Sequence, residues 1–377
     1  MTQDKTNKVS NVPPLRFPEF TGEWEKCTLG EIMSYSKDRV PSNTLTDDNY
    51  VSTENMLPHF GGIYRAPNVP SNGNAIAYQK GDTLLSNIRP YLKKVWLANN
   101  NGGCSADVFV LKSVNEKCNS DFLYYLVAND NFINYVMNGA KGVKMPRGDK
   151  EQIKKYQLSI PSKNEQCKIT DLLSKLDQRI STQIRVIEDL QTLKKAIRKQ
   201  MFSELLLDNA PNLQIKDVLE YEQPTKYLVS NTEYSDDITL IPVLTANKAF
   251  VLGYTDDTDG IYSQGKCIII DDFTLDCKLV DFPFKVKSSA IKILTAKRGT
   301  NIRYLYEYLK FLDLDTSEHK RHYIAEIEPL EIVIPNMSIT NGIANTLELM
   351  DKRIGLAENM LFQYRQQKQY LLQQMFI

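Results

Sequence analysis

Few residues of this chain have the types and spacing that catalysis or cofactor binding requires. Gly260–Cys267 nearly matches the phosphate-binding loop, but it has Cys267 where that loop needs Ser or Thr to bind magnesium. The next residues, Ile268–Ile270, predict a strand, whereas a phosphate site needs a helix N-terminus there. The chain has three histidines, His59, His319 and His322, none in a recognisable catalytic signature, and His319 and His322 are expected at the surface. We predict no catalytic site, no metal and no cofactor in this chain.

Basic side chains in several short segments suit a different chemistry, the binding of DNA. Equal numbers of basic and acidic residues, 46 of each, mean that such binding depends on local patches. Two segments, Asn87–Lys94 and Gly139–Lys150, are cationic and contain Gly, Pro or Tyr, and Phe282–Tyr306 holds six basic residues and no acidic one. Arg and Lys bind phosphates and base edges. The candidate DNA-binding residues are Arg89, Lys93, Lys94, Lys141, Lys144, Arg147, Lys150, Lys297, Arg298, Arg303, Lys320 and Arg321.

An internal repeat indicates how these segments are positioned. IPSKNEQCKITDLLSKLDQRI begins at Ile160, and IPNMSITNGIANTLELMDKRI begins at Ile334, an offset of 174 residues that holds to the end of the chain. The offset aligns Asp177 with Asp351 and Lys194 with Lys368. Upstream, glycine turns at 81 and 265 share an offset of 184 residues. A period this long predicts two copies of a domain.

Each copy contains a long amphipathic helix. Apolar residues recur every 3 or 4 positions from Ile169 to Met201, and again from Ile343 to Met375, which is typical of a coiled coil. Ser162–Glu165 fits a capping box at the start of the first helix. The two helices are expected to pair antiparallel through Ile169, Leu173, Leu176, Ile180, Ile187, Ile343, Leu347, Met350, Ile354 and Leu361. The alternative is a long helix that packs on its own domain.

The remaining segments predict two α+β domains of mixed strands and helices. We expect strands at 24–32, 49–53, 83–88, 94–98, 108–111 and 156–160, a helix at 120–137, strands at 239–244, 266–271, 278–281, 290–294 and 330–334, and a helix at 301–312. The expected division is a first α+β domain at 1–160, a long helix at 161–206, a second α+β domain at 207–334 and a second long helix at 335–377. No signal peptide, membrane span or CxxC pair is expected, so a cytoplasmic protein with reduced thiols is predicted.

The pattern resembles the specificity subunit of type I restriction-modification enzymes over nearly the whole chain. Pro14–Phe20, Trp24-Glu25 and Leu29–Ile32 resemble the family's opening, and Ile160-Pro161 followed by Glu165-Gln166 and the heptads to Ile180 resembles its repeated helical segment. The second copy departs from this pattern, with Ile339-Thr340 in place of Glu165-Gln166.

The resemblance implies that each globular domain is a target recognition domain for one half of a split sequence in double-stranded DNA. The paired helices would set the unread spacer and dock two modification subunits. This chain would be non-catalytic and would carry no cofactor. S-adenosylmethionine, ATP and magnesium would bind partner subunits, which supply adenine methylation and, with two restriction subunits, ATP-dependent cleavage.

Three other functions fit the residues alone. A stand-alone DNA-binding adaptor or regulator would need no methyltransferase partner. A monomeric enzyme with unrecognised motifs would be active as a single chain. A coiled-coil scaffold whose domains bind proteins would show no salt-dependent affinity for DNA.

Overall fold

A computed structural model describes residues 11–114, 116–142, 144–245, 250–314 and 321–377. The chain divides into two compact units, the first of which ends at Thr182 and also takes in Leu361–Ile377, while the second is Gln183–Met360. Among the described residues, no helix is long and apolar enough to cross a membrane.

The described residues of the first unit contain ten strands and the beginning of a long helix. Its strands are β1 (Glu25–Thr28), β2 (Met33–Tyr35), β3 (Arg39–Pro41), β4 (Tyr50–Val51), β5 (Asn74–Tyr78), β6 (Thr83–Ser86), β7 (Val95–Leu97), β8 (Gly102–Cys104), β9 (Val108–Ser113) and β10 (Gln157–Ile160). Its helices are α1 (Leu29–Ile32), α2 (Ser120–Val127), α3 (Asp130–Asn138), α4 (Lys150–Lys154) and the long α5 (Lys163–Asp208), with 3₁₀ turns at Ser42–Thr44 and Pro90–Leu92. From Gln183 onward, α5 belongs to the second unit.

The strands of the first unit form three sheets. An antiparallel sheet has the order β2-β9-β6-β7, and a second sheet has the order β3-β5-β8-β4, with β4 parallel to β8. The pair β1-β10 joins the start of the unit to the strand that precedes α5, with Glu25 opposite Ile160. The main core lies where α2 and α3 cover the first of these sheets, around Phe122, Phe132 and Leu111.

The part of the second unit that the structure describes has nine strands. They are β11 (Leu213–Gln214), β12 (Leu219–Glu222), β13 (Ile241–Leu244), β14 (Val251–Thr255), β15 (Cys267–Asp271), β16 (Cys277–Val280), β17 (Lys285–Val286), β18 (Ile291–Ala296) and β19 (Glu331–Ile332). Its helices are α6 (Ile215–Val218), α7 (Ile302–Leu312) and α8 (Met337–Gln374), with a 3₁₀ turn at Pro224–Tyr227 and a π-helix at Tyr323–Ile327.

The second unit repeats the topology of the first. Its antiparallel sheet has the order β12-β18-β15-β16, which matches β2-β9-β6-β7 strand for strand. The smaller sheet β14-β13-β17 also ends in a parallel pair, and β11-β19 corresponds to β1-β10. Gly81 and Gly265 precede the equivalent strands β6 and β15, and both have the positive φ that glycine adopts most easily, +91° and +103°.

The two long helices run antiparallel within each unit. In the first unit, Ile169 and Leu173 of α5 share a core with Leu372 and Met375 of α8. In the second unit, the later part of α5, around Phe202, packs with the beginning of α8.

Three local predictions are wrong. Trp24–Ile32 is not one strand, because Thr28 and Glu31 form a capping box that begins the helical turn α1. The helix expected over 120–137 is two helices, since the Asn129 side chain accepts a hydrogen bond from Asn131 N and starts α3. The Glu165 carboxylate, which a capping box would direct to Ser162, accepts hydrogen bonds from Arg16 and Trp24 instead.

Candidate functional site

The structure brings the two basic segments of the first unit together. Bridges join Ile88 to Arg147 and Lys141 to Arg147. The Arg89 backbone N–H donates to the Pro146 carbonyl at 2.8 Å, and the Gly148 N–H donates to the Asn87 carbonyl at 3.1 Å. The turn between β6 and β7 therefore lies directly against the loop that precedes α4. We call these two segments together, 87–94 and 141–150 without residue 143, the basic surface.

The β6–β7 turn contains strained backbone. Arg89 and Lys93 have φ of +51° and +55°, and the adjacent His59 and Phe60 have +55° and +58°. Non-glycine residues in this region cost on the order of 1–3 kcal/mol each, and they persist where the surroundings hold them. Here the His59 N–H donates to the Leu92 carbonyl at 2.9 Å, and the Phe60 N–H donates to the Lys93 carbonyl at 2.8 Å. Such strain is concentrated at binding sites.

Side-chain bonds further hold this surface together. Lys93 pairs with Asp130 of α3 at 2.7 Å, and the Lys94 ammonium donates to the Thr53 carbonyl at 2.6 Å. These two predicted cations thus have partners inside the protein, which leaves the more exposed ones for a ligand.

The loop before α4 is also held by hydrogen bonds, which are centred on Asp149. The Asp149 carboxylate accepts from Lys141 at 2.8 Å and from the backbone of Glu151 and Gln152. The Lys141 hydrogen bond and the backbone N–H groups lower the pKa of Asp149 to about 2. Arg147 lies 3.3 Å from Asp107 but remains half exposed. Asp149 therefore caps α4 and ties down the loop at neutral pH.

Several side chains of the basic surface are exposed to solvent. Arg89, Lys144 and Lys150 are exposed, and the Lys150 ammonium lies about 5 Å from the Tyr35 and Phe109 rings. Tyr91 and Met145, which the residue-type search did not select, are 47% and 48% exposed. On this rigid backbone, the cationic side chains can bind the phosphates of a nucleic acid. The exposed aromatic side chain can pack against its flat bases.

The predicted cations of the second unit do not form one surface. Lys297 and Arg298 are exposed after β18, and the Lys297 ammonium donates to the Lys216 carbonyl at 2.6 Å. Arg321 is exposed, 4.0 Å from Asp272. Lys320 lies outside the described residues. Arg303 has only 16% of its side chain exposed and pairs with Glu307 and Asp351, a placement that argues against a DNA contact.

Other members of the 282–306 basic run are internal. Lys285 and Lys292 are both 2% exposed and pair with Asp257 and Asp272, respectively. Together with Arg303, three of the six cations of this run are therefore paired with acids inside the unit. His322 is also buried and bonded to Glu326, contrary to the expectation of a surface histidine, and His319 lies outside the described residues.

The Gly260–Cys267 segment is part of a sheet. Cys267 begins β15 and is fully buried, so a strand follows Gly265 where a phosphate site requires a helix. Burial raises the pKa of the Cys267 thiol to about 12, and four further buried cysteines have thiol pKa values raised to about 11 or 12 for the same reason. These thiols are protonated at neutral pH and unreactive.

The predicted helix-pair residues lie on the inner faces of α5 and α8. Buried members of the set are Ile169, Leu173, Leu176, Ile187, Ile343, Leu347 and Met350. Half-buried members are Ile180, Ile354 and Leu361.

The helix pair also contains the same ion pair in each unit. In the first unit, Lys368 lies 2.6 Å from Asp177, and in the second, Lys194 lies 2.6 Å from Asp351. These are the Lys and Asp positions that the 174-residue offset aligns. Since both members come from different helices, each pair fixes one alignment of α5 against α8.

The second unit adds a buried acid to its ion pair. Glu307 of α7 is fully buried and contacts Lys194 at 3.1 Å, Arg198 at 2.8 Å and Arg303 at 2.7 Å. We call this set, with Asp351, the Glu307 network. In the first unit, Tyr125 takes the corresponding place and donates to Asp177 at 2.8 Å. Residue-type reasoning missed Glu307, because a lone Glu in a helix carries no signal of burial.

Comparisons with known proteins give a consistent result. Residues 21–190 match the model of the type I restriction modification DNA specificity domain. The chain is 46% identical over 142 residues to the type I restriction enzyme EcoR124I/EcoR124II specificity subunit of Escherichia coli. The aligned residues make up 36% of this chain and 35% of that relative. It is 25% identical over 206 residues to the MjaVIII specificity subunit of Methanocaldococcus jannaschii, 53% of this chain and 46% of the relative. The chain thus matches between a third and a half of the length of these relatives.

Solved structures show the same fold over most of the chain. A crystal structure of the S subunit of a type I restriction-modification system from M. genitalium superimposes with a TM-score of 0.60 and 15% identity, covering 97% of this chain and 99% of that one. A second structure, from work on complex assembly and conformational transition of a type I system, gives a TM-score of 0.51 and 14% identity over 93% and 96% of the two chains. The predicted fold class, two mixed α/β domains with two long helices and an internal repeat, is confirmed.

Proposed function

We propose that this chain is a specificity subunit of a type I restriction-modification system and recognises the DNA sequence for that complex. Each unit reads one half of a split target in double-stranded DNA, through recognition domains at 1–160 and 207–334. The chain contributes recognition and assembly, while methylation and cleavage belong to partner subunits.

One observation carries this proposal. The family match covers residues 21–190, and the basic surface lies entirely inside that range. Two segments about 50 residues apart in the chain join there to present Arg89, Lys144 and Arg147 on a fixed backbone. A rigid group of cations suits a DNA duplex, because Arg and Lys side chains bind its phosphates, which fix the register of a protein on the duplex, and also its base edges.

In the second unit, the proposed DNA contacts are Lys297, Arg298 and Arg321. These cations are exposed and lie outside the strands. The second unit has the same sheet order as the first but different exposed cations. This difference supports the reading of two different half-sites.

The long helices are proposed to hold the spacer and to dock two modification subunits, which restriction subunits then join. Exposed apolar side chains on the helices within the second unit support the docking role. Leu349, Leu356 and Met360 are 48–67% exposed at spacings of 7 and 4 residues, on one face of α8. Val186 and Leu193 are 40% and 49% exposed on one face of α5. Exposed apolar rows of this kind mark protein interfaces.

Co-expression tests the proposed function. The chain is produced with the methyltransferase encoded beside its gene, and the methylated bases of the host DNA are mapped by sequencing. We expect two short half-sites around a fixed, unread gap. A stable complex that methylates no DNA would contradict the proposal. Tight, specific DNA binding by the chain alone, with no methyltransferase required, would favour the adaptor or regulator.

A binding experiment tests the basic surface separately. The double variant Lys144→Ala/Arg147→Ala should bind target DNA more weakly, and the slope of log affinity against log salt should become shallower by about 1 for each lost phosphate contact. The control Lys26→Ala/Lys80→Ala removes the same charge from exposed positions outside the basic surface. Equal affinity and slope for the wild type and the Lys144/Arg147 variant would remove this loop from the interface.

A further inference from the structure

The two units differ most plainly at one pair of equivalent turns. The turn between β6 and β7 in the first unit has the sequence Asn-Ile-Arg-Pro-Tyr-Leu-Lys-Lys and carries three cations and no acid. The equivalent turn between β15 and β16 in the second unit has the sequence Asp-Phe-Thr-Leu-Asp and carries two acids and no cation. Only the turn of the first unit has the charge to approach DNA.

The β6–β7 turn is held from three directions. The 57–62 loop binds it through the Leu92 and Lys93 carbonyls, the loop before α4 binds it through the Arg89 N–H, and α3 binds it through the Lys93–Asp130 ion pair. Together these contacts hold Arg89 and Lys93, two non-glycine residues, in the left-handed backbone conformation. Because the backbone of this turn is already fixed, little backbone conformational entropy is lost when its side chains bind a ligand.

The side chains at the tip of this turn are free to reach a ligand. Arg89 is exposed, and its backbone, not its guanidinium, makes the contact to Pro146. Tyr91 is 47% exposed two residues later, and Met145 is 48% exposed next to Pro146. Arg pairs in bidentate fashion with the O6 and N7 atoms of guanine, and apolar side chains contact the thymine methyl group.

We propose that the β6–β7 turn of the first unit is a base-reading element, in which Arg89 recognises a guanine in the major groove and Tyr91 contacts the neighbouring base. The inference rests on the proposed function and deepens it, because it assigns direct readout to this turn and phosphate positioning to Lys144 and Arg147. It also assigns the second unit a different reading element, since its equivalent turn is acidic.

The test compares methylation motifs of variants co-expressed with the modification subunit. Arg89→Ala should lose the guanine requirement at one position of one half-site, with the gap and the other half-site unchanged. In competition binding, discrimination between the target and a duplex with that guanine replaced should fall by about 5- to 150-fold. Arg89→Lys keeps the charge but not the bidentate geometry, so it should also lose discrimination while keeping the salt slope.

The matched control is Thr274→Ala, an exposed position in the equivalent turn of the second unit, which should leave both half-sites unchanged. An unaltered motif in Arg89→Ala would overturn the inference. Uniformly weaker binding to all sequences, with a shallower salt slope, would also overturn it, because that result identifies Arg89 as a phosphate contact. Absence of any split motif for the wild type would instead refute the proposed function, so the two failures are distinguishable.

Discussion

The Glu307 network makes a quantitative prediction about how α5 and α8 are held in the second unit. Its central carboxylate is fully buried and touches three cations, Lys194, Arg198 and Arg303, which are 10–16% exposed. Glu307→Gln keeps the volume of the side chain but removes its charge and replaces one of its two accepting oxygens with a donating NH2 group. Asp351 would then be the sole described acid bonded to these cations, through Lys194 and Arg303.

The expected cost follows from the burial of the network. Removing one partner of a buried ion pair costs about 3–5 kcal/mol, because the opposite charge stays buried without compensation. The second unit spans 178 residues, and a domain of that size loses roughly 2–4 °C in melting temperature per kcal/mol. Glu307→Gln should therefore lower the melting temperature of the second unit by about 6–20 °C.

Calorimetry measures the transition, and hydrogen exchange in α7 assigns it to the second unit. Tyr125→Phe is the matched control in the first unit, where it removes one hydrogen bond to Asp177 and should cost about 1.5 kcal/mol. The 174-residue offset places Leu372 of the first unit at the position of Arg198, so adding Arg198→Leu to Glu307→Gln should recover part of the loss. A melting temperature for Glu307→Gln within about 2 °C of the wild type would refute this account of the network.

Two further predictions concern the same helix pair. Leu176→Asp, at a position 4% exposed, should lower the unfolding free energy by at least about 3 kcal/mol, because it removes a buried side chain and introduces a charge; an unchanged urea midpoint would show that the position is accessible. Burial raises the pKa of Asp351, but Lys194 and Arg303 lower it more, so its pKa lies below the ordinary 3.8. The Asp351 carboxylate therefore contributes its full stabilisation above about pH 4, and this stabilisation is lost as the pH falls through the pKa of Asp351 in the folded protein. The wild type should then lose stability more steeply below about pH 4 than Asp351→Asn. Parallel curves of urea midpoint against pH for the two proteins would contradict this.

The architecture was predictable from the sequence because it depends on periodic signals. Apolar residues every 3 or 4 positions identify a helix and its buried face from any short window. The 174-residue offset then indicates a second copy, and both helices appear at 163–208 and 337–374. Short strands with a weak alternation, such as β3 and β17, gave no such signal, since two or three residues cannot establish a period of two.

The candidate site was only partly predictable, since the sequence indicates charge but not partners. Lys285, Lys292 and Arg303 have the same residue types as Arg89 and Lys144. Yet Lys285 and Lys292 are buried and Arg303 is partly buried, each beside an acid from another part of the chain. Asp257 and Asp272 lie 28 and 20 residues before their lysines in the chain. Only the fold brings such residues together, and no local pattern marks which cations will be neutralised.

The internal repeat shows which of these positions the fold requires. The Lys–Asp pairs that join α5 to α8 recur in both units at the same offset and the same distance. The turns at equivalent strand ends differ in length and in the sign of their charge. The proposed reading of two different half-sites on one kind of scaffold needs this division, because the helix contacts must be alike while the reading loops must differ. Exchanging the β6–β7 turn for its acidic counterpart should therefore weaken DNA binding by the first unit and remove its guanine preference, while the Lys368–Asp177 pair keeps the two helices aligned; an unchanged affinity and an unchanged motif would contradict this.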